Sequence, residues 1–178
     1  MDLSELERRI RAIEDTEAIK RLKYRYWRHL DLKQWDELAT LFAPDASVAY
    51  GEGKYSFEGV DAIMKFLRES LARETGSVTV HHGHHPEIEI AGETTATGTW
   101  ALYNYMFNAK QKRGVRIGAY YNDEYVKLAG EWKFQRIGYR YLFHEEWSRD
   151  DIPSLHLIAS DSGVRAVKQA SHVTAKRP

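Results

Sequence analysis

The order of secondary-structure patterns along the chain limits its fold more than any single motif does. Apolar residues recur at helical spacing over residues 3–43 and 60–73, with a short strand pair predicted between them over residues 46–58. Beyond Ser77 the pattern changes to four successive β-rich runs, which cover residues 77–90, 94–108, 114–128 and 131–147. Helices followed by a meander of long strands predict an α+β fold, in which a curved antiparallel sheet carries the helices on one face.

The N-terminal helical region is predicted to turn one corner. Ser4 and Glu7 have capping-box spacing at its start. One apolar stripe then contains Ile19, Leu22, Tyr26 and Leu30. Residues 31–34 form the corner, and the short helix beyond it ends before Pro44. Asp31 in this corner has the position of an N-cap for the second helix.

The chain is long enough for one domain with its own hydrophobic core. It has 178 residues and contains no internal repeat or linker. We expect a single domain over residues 1–158. Residues 159–178 lose periodicity and are rich in Ser, Ala, Lys and Arg, so they are predicted to form a mobile polar tail.

The balance of charges excludes several partners. The 26 Lys and Arg residues match the 26 Asp and Glu residues, so no basic surface for nucleic acid or an anionic membrane is predicted. No run of about 18 apolar residues could span a bilayer, and the N-terminus lacks a signal peptide's apolar stretch. Without cysteine, disulfides, thiol catalysis and cysteine–zinc sites are excluded. We expect a cytoplasmic protein.

Histidine is concentrated in one short segment. Four of the eight histidines lie in His81-His82-Gly83-His84-His85, and Pro86 follows. Imidazole shuttles protons near neutral pH and also binds metals. Strict alternation puts His82 and His84 in phase with apolar neighbours and His81 out of phase, but Gly83 and Pro86 suggest a bulge. The residues alone leave open a metal site, an acid–base site and histidines with a structural role at a strand edge.

Two further polar groups lie on apolar faces. Asn104 shares its strand face with Trp100, Leu102 and Met106, so its amide needs a hydrogen-bonding partner in the core or in a ligand. Tyr26 lies on the apolar helix stripe, which places its phenol in the interior. Neither residue alone decides between a structural role and a functional one.

Four segments together resemble the SnoaL-like proteins of the NTF2-like superfamily. The resemblance covers about residues 15–150. Within the superfamily, the chain resembles bile acid 7α-dehydratase in particular, and scytalone dehydratase is a further relative. The segments are Asp15 to Leu38, including Tyr26, Asp31 and Trp35; His81-His82-Gly83-His84-x-Pro86-Glu87-Ile88; Glu93-Thr94-Thr95-Ala96-Thr97-Gly98-x-Trp100; and Gly118-Ala119-Tyr120-Tyr121-Asn122-Asp123-x-Tyr125 followed by Gly130-x-Trp132.

This resemblance implies a cone-shaped barrel with a deep apolar cavity between the sheet's concave face and the N-terminal helices. It also implies a mechanism that needs no cofactor and no metal, with His81 as the catalytic base, Asp31 as its partner and Tyr26 as the pocket tyrosine. The implied activity is that of a dehydratase or isomerase acting on a hydrophobic cyclic, steroid-like substrate. A non-catalytic ligand-binding or accessory protein, and a metal-dependent enzyme that uses the histidine cluster, remain alternatives.

Two positions depart from the bile acid dehydratase pattern. Asn104 stands where that enzyme has an aspartate, and an amide cannot act as a base. Tyr141 stands where it has an arginine near the coenzyme A end, although Arg140 is adjacent. With Trp100, these residues form the expected substrate-binding set.

The outer face of the predicted sheet is rich in aromatic residues. Tyr103, Tyr105 and Phe107 share the strand phase that points away from the helices. Sheets of this kind commonly bury such a face in an oligomer. We expect a homo-oligomer, for which the resemblance favours a trimer over a dimer, and a small hydrophobic ligand as the other partner.

Overall fold

A computed structural model describes residues 2–160 of the chain, in which three α-helices pack against one six-stranded sheet. The helices are α1 (Leu3–Leu32), α2 (Trp35–Ala39) and α3 (Val60–Leu71). The strands are β1 (Phe42–Tyr50), β2 (Tyr55–Glu58), β3 (Ser77–Ile90), β4 (Thr95–Asn108), β5 (Arg113–Leu128) and β6 (Glu131–Ser148). Single 3-10 turns occur at Arg73–Thr75 and Arg149–Asp151.

The four long strands begin and end within one residue of their predicted bounds. Tight turns explain this agreement, because Ala129 and Gly130 both adopt positive φ between β5 and β6, at 49° and 84°. Residues 161–178 of the predicted tail lie outside the described residues. Within residues 2–160, no helix combines the length and apolarity that crossing a lipid bilayer requires.

The sheet has the order β2-β1-β6-β5-β4-β3 and stays open at both edges. All neighbouring strands are antiparallel except β1 and β6, which run parallel, with Val48 opposite Ile137. The predicted antiparallel meander is formed by the four long strands β3 to β6, and β1 adds to it as a parallel neighbour of β6. A parallel pair needs a long crossover, and the chain between β1 and β6 supplies it.

The start of α1 differs from the prediction. Its N-cap is Asp2 rather than Ser4, and the Asp2 carboxylate accepts the Glu5 backbone N–H at 2.8 Å. Aspartate is as good an N-cap as serine, so the helix begins earlier. Farther along, the predicted stripe is confirmed, because Ile19, Leu22, Tyr26 and Leu30 are all buried.

The core lies between the concave face of the sheet and the helices α1 and α3. Trp27 of α1 packs directly over the backbone of Gly83 in β3, where an added Cβ would lie 1.7 Å from the indole ring. A side chain at this position would displace Trp27 and would keep α1 from packing this closely on the sheet. This contact explains the glycine within the histidine cluster.

Candidate active site

A cavity of about 700 Å³ lies between the concave face of the sheet and the helices. Aromatic and aliphatic side chains from α1, α3 and the inner faces of the strands supply the larger part of its exposed surface. Polar residues also line it, among them His81 and Asn104 on β3 and β4 and the charged Glu69, Lys110 and Arg113. A pocket that combines apolar walls with convergent polar groups is the usual form of a small-molecule site.

A β-bulge decides which histidine enters the cavity. The register of β3 against β4 shifts between His84 and Glu87, and His85 adopts a φ of 50°. The extra residue reverses the alternation, so that His81 shares the inner face with Ile88 despite the odd spacing between them. Strict alternation therefore fails in this strand.

The other histidines of the cluster are directed elsewhere. His82, His84 and His85 are exposed, and the rings of His82 and His84 stack at 6.3 Å. Among the described residues, no three histidine or acidic side chains converge in positions that could hold a metal ion.

Asp31 and His81 form a close pair on the cavity wall. The His81 Nδ1–H donates to Asp31 Oδ1 at 2.6 Å, and the His81 backbone N–H donates to Asp31 Oδ2 at 2.9 Å. Burial raises the pKa of Asp31, but the hydrogen bonds from His81 and Thr79 outweigh it and hold that pKa below its ordinary value. The carboxylate is therefore ionised and fixes the proton of His81 on Nδ1.

The alternative role of Asp31 as an N-cap is not observed. Asp31 lies in the last turn of α1, and the cap position of α2 is Gln34, which makes no side-chain capping bond. The carboxylate points across to β3, fifty residues later in the sequence. No local pattern could have predicted this partner.

Asn104 covers the second nitrogen of His81. Its Nδ2 donates to His81 Nε2 at 3.0 Å, because that nitrogen carries a lone pair when the proton is on Nδ1. The amide oxygen Oδ1 of Asn104 is buried and has no hydrogen-bond partner in the described part of the chain. Asn104 lies in the cavity wall, and its predicted role in substrate binding stays a prediction.

Two tyrosines form a second polar point in the cavity. The hydroxyls of Tyr26 and Tyr50 lie 2.9 Å apart, and both side chains line the cavity. Burial raises the pKa of both phenols well above its ordinary value, so both stay neutral and can donate hydrogen bonds. Tyr50 was missed from the sequence, although Val48 and Tyr50 alternate toward the core at the end of β1.

The expected substrate-binding set is only partly brought together. Tyr141 lines the cavity. Trp100 is fully buried beside Trp27 and donates its indole N–H to the hydroxyl of Tyr125 at 2.9 Å, so it belongs to the packed core instead. Arg140 is exposed and does not line the cavity, because adjacent strand residues point to opposite faces.

A buried ion pair that the sequence did not reveal lies next to the cavity wall. Lys23 Nζ donates to Asp123 Oδ2 at 2.6 Å, both side chains are fully buried, and the ammonium lies 3.5 Å from the ring centre of Tyr121. Burial lowers the pKa of Lys23 to about 8 and raises that of Asp123. A lysine on the apolar stripe of α1 was the available signal, but its partner is 100 residues away.

Comparison with known proteins gives a family match over most of the chain. The SnoaL-like domain family matches residues 11–138. An uncharacterized protein of Mycobacterium tuberculosis is 22% identical over 126 residues, which cover 70% of this chain and 83% of that protein.

Similar solved structures include a proposed scytalone dehydratase of Novosphingobium aromaticivorans. It is 28% identical, with a TM-score of 0.68, and the match covers 76% of this chain and 89% of that one. A type 2 hexachlorocyclohexane dehydrochlorinase (LinA) is 20% identical, with a TM-score of 0.70 and coverage of 77% and 91%. An NTF2-like protein with a cystatin-like fold from N. aromaticivorans, 20% identical at a TM-score of 0.63, matches over 79% and 90%. The last two establish the shared fold.

Proposed function

The chain belongs to the SnoaL-like family, and on that premise we propose that it is a cofactor-independent lyase that dehydrates a hydrophobic cyclic substrate. The observation that carries the proposal is the 2.6 Å contact between His81 and Asp31 on the wall of a mainly apolar cavity. A carboxylate that fixes the tautomer of an imidazole and stabilises its protonated form makes a general base. The likeness at 28% identity to a proposed scytalone dehydratase supports dehydration as the reaction.

In the proposed reaction, His81 Nε2 removes a proton from the carbon next to a substrate carbonyl. The electron pair of the broken C–H bond moves onto the carbonyl oxygen as an enolate. Tyr26 and Tyr50 stay neutral, and one of their two hydroxyl protons is used in the hydrogen bond between them, so the other is donated to that oxygen. The enolate then re-forms the carbonyl and expels the β-hydroxyl, which takes the proton from the His81 imidazolium and leaves as water.

Asn104 must move before this chemistry begins, since its Nδ2 occupies the nitrogen that accepts the proton. A substrate oxygen that accepts the Nδ2 hydrogen would release His81 Nε2 and keep the amide satisfied. Substrate binding and activation of the base are then one event. The same reaction without loss of the hydroxyl, with the proton returned at another carbon, would be an isomerisation.

The cavity suits a substrate of one to several fused rings. Its volume of about 700 Å³ lies within the usual range for drug-sized ligands. Tyr50, Phe66 and Tyr139 line it with a cluster of aromatic rings, which favours flat or cyclic apolar groups. We therefore propose cyclic β-hydroxy ketones, including steroid-like ones, as the substrate class.

The occupied Nε2 of His81 also favours a second candidate, a protein that binds a hydrophobic ligand without turnover. The test is a screen of cyclic and steroid-like β-hydroxy ketones for loss of water by mass spectrometry, with binding followed by intrinsic fluorescence. Turnover that disappears in His81→Ala and persists in His82→Ala would support the lyase. Saturable binding without turnover of any compound would support the ligand-binding role and contradict the proposed lyase activity.

A further inference from the structure

Lys33 ends helix α1 in a conformation that lysine rarely adopts. Its φ and ψ are 60° and 36°, in the left-handed region, and its backbone N–H caps the carbonyls of His29 and Leu30. Glycine or asparagine is the usual residue at such a C-terminal position, because a Cβ is unfavourable there. Helix termination alone does not explain why a lysine holds this strained conformation next to a candidate active site.

The side chain of Lys33 supplies that reason. It turns back toward β3, where Nζ donates to Thr79 Oγ1 at 2.9 Å. Thr79 is itself buried and donates its hydroxyl proton to Asp31 Oδ1 at 2.8 Å. Lys33, Thr79, Asp31 and His81 therefore form one continuous chain of hydrogen bonds.

The charge of Lys33 fixes the direction of this chain. An ammonium group can only donate hydrogen bonds, so the oxygen of Thr79 must accept from Lys33. The single hydroxyl proton of Thr79 is then left for Asp31. A neutral amine could accept that proton instead, and Asp31 would lose one of its donors.

We propose that Lys33 is a positioning residue for the His81–Asp31 pair, acting through Thr79 to orient the carboxylate and to limit the basicity of the imidazole. Its role in a reaction rests on the proposed function, whereas its effect on His81 does not. A nearby positive charge opposes formation of the imidazolium, and the Thr79 hydrogen bond withdraws electron density from the carboxylate that stabilises it.

The surrounding charges agree with this role. Burial lowers the pKa of Lys33 to about 8, Asp31 acts in the opposite direction, and Arg73 lowers it further. Arg73 belongs to the 3-10 turn packed beside α1 and donates to the Leu32 carbonyl at 3.3 Å. The lysine is thus charged at neutral pH and becomes neutral in mildly alkaline solution.

The experiment is a ¹⁵N-histidine NMR titration of His81 in the ligand-free protein. Lys33→Met should raise the pKa of His81 by about half a unit or more, by the Coulomb term for a partly screened neighbour. Thr79→Val, which keeps the charge but removes the hydroxyl, should raise it by a smaller amount. Lys33→Arg keeps a charge that can only donate and should leave the titration close to that of the natural chain.

Lys33→Gly separates this role from a structural one. It relieves the left-handed strain, so the variant should melt no lower than the natural protein while His81 titrates as in Lys33→Met. An unchanged His81 titration in Lys33→Met, or an equal shift in Lys33→Arg, would overturn the proposal. The titration needs no substrate, so it tests the effect of Lys33 on His81 independently of the proposed reaction. A shifted His81 pKa together with no turnover of any compound would contradict the lyase and still support the positioning role of Lys33.

Discussion

The side-chain amide of Asn104 donates to Nε2 of His81 over 3.0 Å, so the nitrogen that would take a proton from a substrate already has a partner. The same amide leaves its own oxygen buried without a donor. One side chain thus both covers the candidate base and carries an unmet hydrogen-bonding need. A substrate that hydrogen-bonds to both the Nδ2 and the Oδ1 of Asn104 would free His81 Nε2 and give the buried oxygen a partner.

Replacing Asn104 by aspartate should make His81 harder to deprotonate. A carboxylate beside Nε2 favours the imidazolium, so the acidic limb of kcat/KM should move to higher pH by about one unit or more. Asn122→Asp is the matched control, because Asn122 is exposed on the opposite face of the sheet. A pH profile measured on both variants checks this, and an acidic limb that stays in place in Asn104→Asp would contradict the proposed contact.

Asp31 should contribute stability that is lost in acid. Its pKa is held below the ordinary 3.8 in the folded chain, so its contribution is complete above that value. The contribution is lost as the pH falls through the lowered folded-state pKa. Asp31→Asn should therefore flatten the fall in unfolding free energy below about pH 4, measured by urea titration.

The control for this slope is Asp36→Asn, since the side chain of Asp36 is 94% exposed. It should leave the pH dependence close to that of the natural chain. If the unfolding free energy of Asp31→Asn falls with decreasing pH as steeply as that of the natural chain, the hydrogen bonds from His81 and Thr79 to Asp31 do not stabilise the fold.

Removing only one of the two charges of the Lys23–Asp123 pair should destabilise the folded protein. Lys23→Met leaves a fully buried carboxylate with the Tyr125 hydroxyl as its remaining donor, and we expect a loss of about 3–5 kcal/mol in unfolding free energy. Lys23→Met with Asp123→Asn removes both charges and should recover most of that loss. Urea unfolding of the single and double variants measures it, and an equally unstable double variant would contradict this explanation.

The outer face of the sheet should mediate self-association. His82, Tyr103, Gly118 and Phe143 lie in one cross-strand row, with Tyr120 nearby, and the aromatic members are about two-fifths exposed. A contiguous apolar patch of this kind commonly marks an interface. Tyr120→Glu should therefore shift the particle mass toward the monomer in light scattering.

Ile13→Glu places the same charge on an exposed apolar residue of α1 and should leave the particle mass unchanged. A natural chain that is already monomeric, or an equal loss of mass in both variants, would contradict the interface. Phe107, which the sequence assigned to this face, is buried beneath the Arg149 guanidinium and is not available to a partner.

The elements were predictable from sequence because their signals are local. Tight turns set the bounds of the long strands, and the apolar stripe of α1 set its buried face. The parallel pairing of β1 with β6 is not local, since it depends on where the chain returns after four intervening strands. Secondary structure was therefore easier to predict than topology.

The site was less predictable, because one residue changed the geometry of a strand. The bulge at His85 moves His81 to the inner face, which strict alternation had assigned to Val78 and His82. The family resemblance selected His81 by its match to a motif, which does not depend on strand periodicity. The links from Lys33 and Asn104 to the pair depend on side-chain directions that only the folded chain defines.

The most direct test of the central claim is kcat/KM for dehydration by His81→Ala against the natural protein, with circular dichroism to show that the variant is folded. As the general base, His81 should account for about 10²–10⁴-fold of the rate. We expect a loss of that size, while His82→Ala, on the outer face of the same strand, keeps its rate. A folded His81→Ala variant that dehydrates the substrate at an undiminished rate would contradict the assignment of His81 as the base.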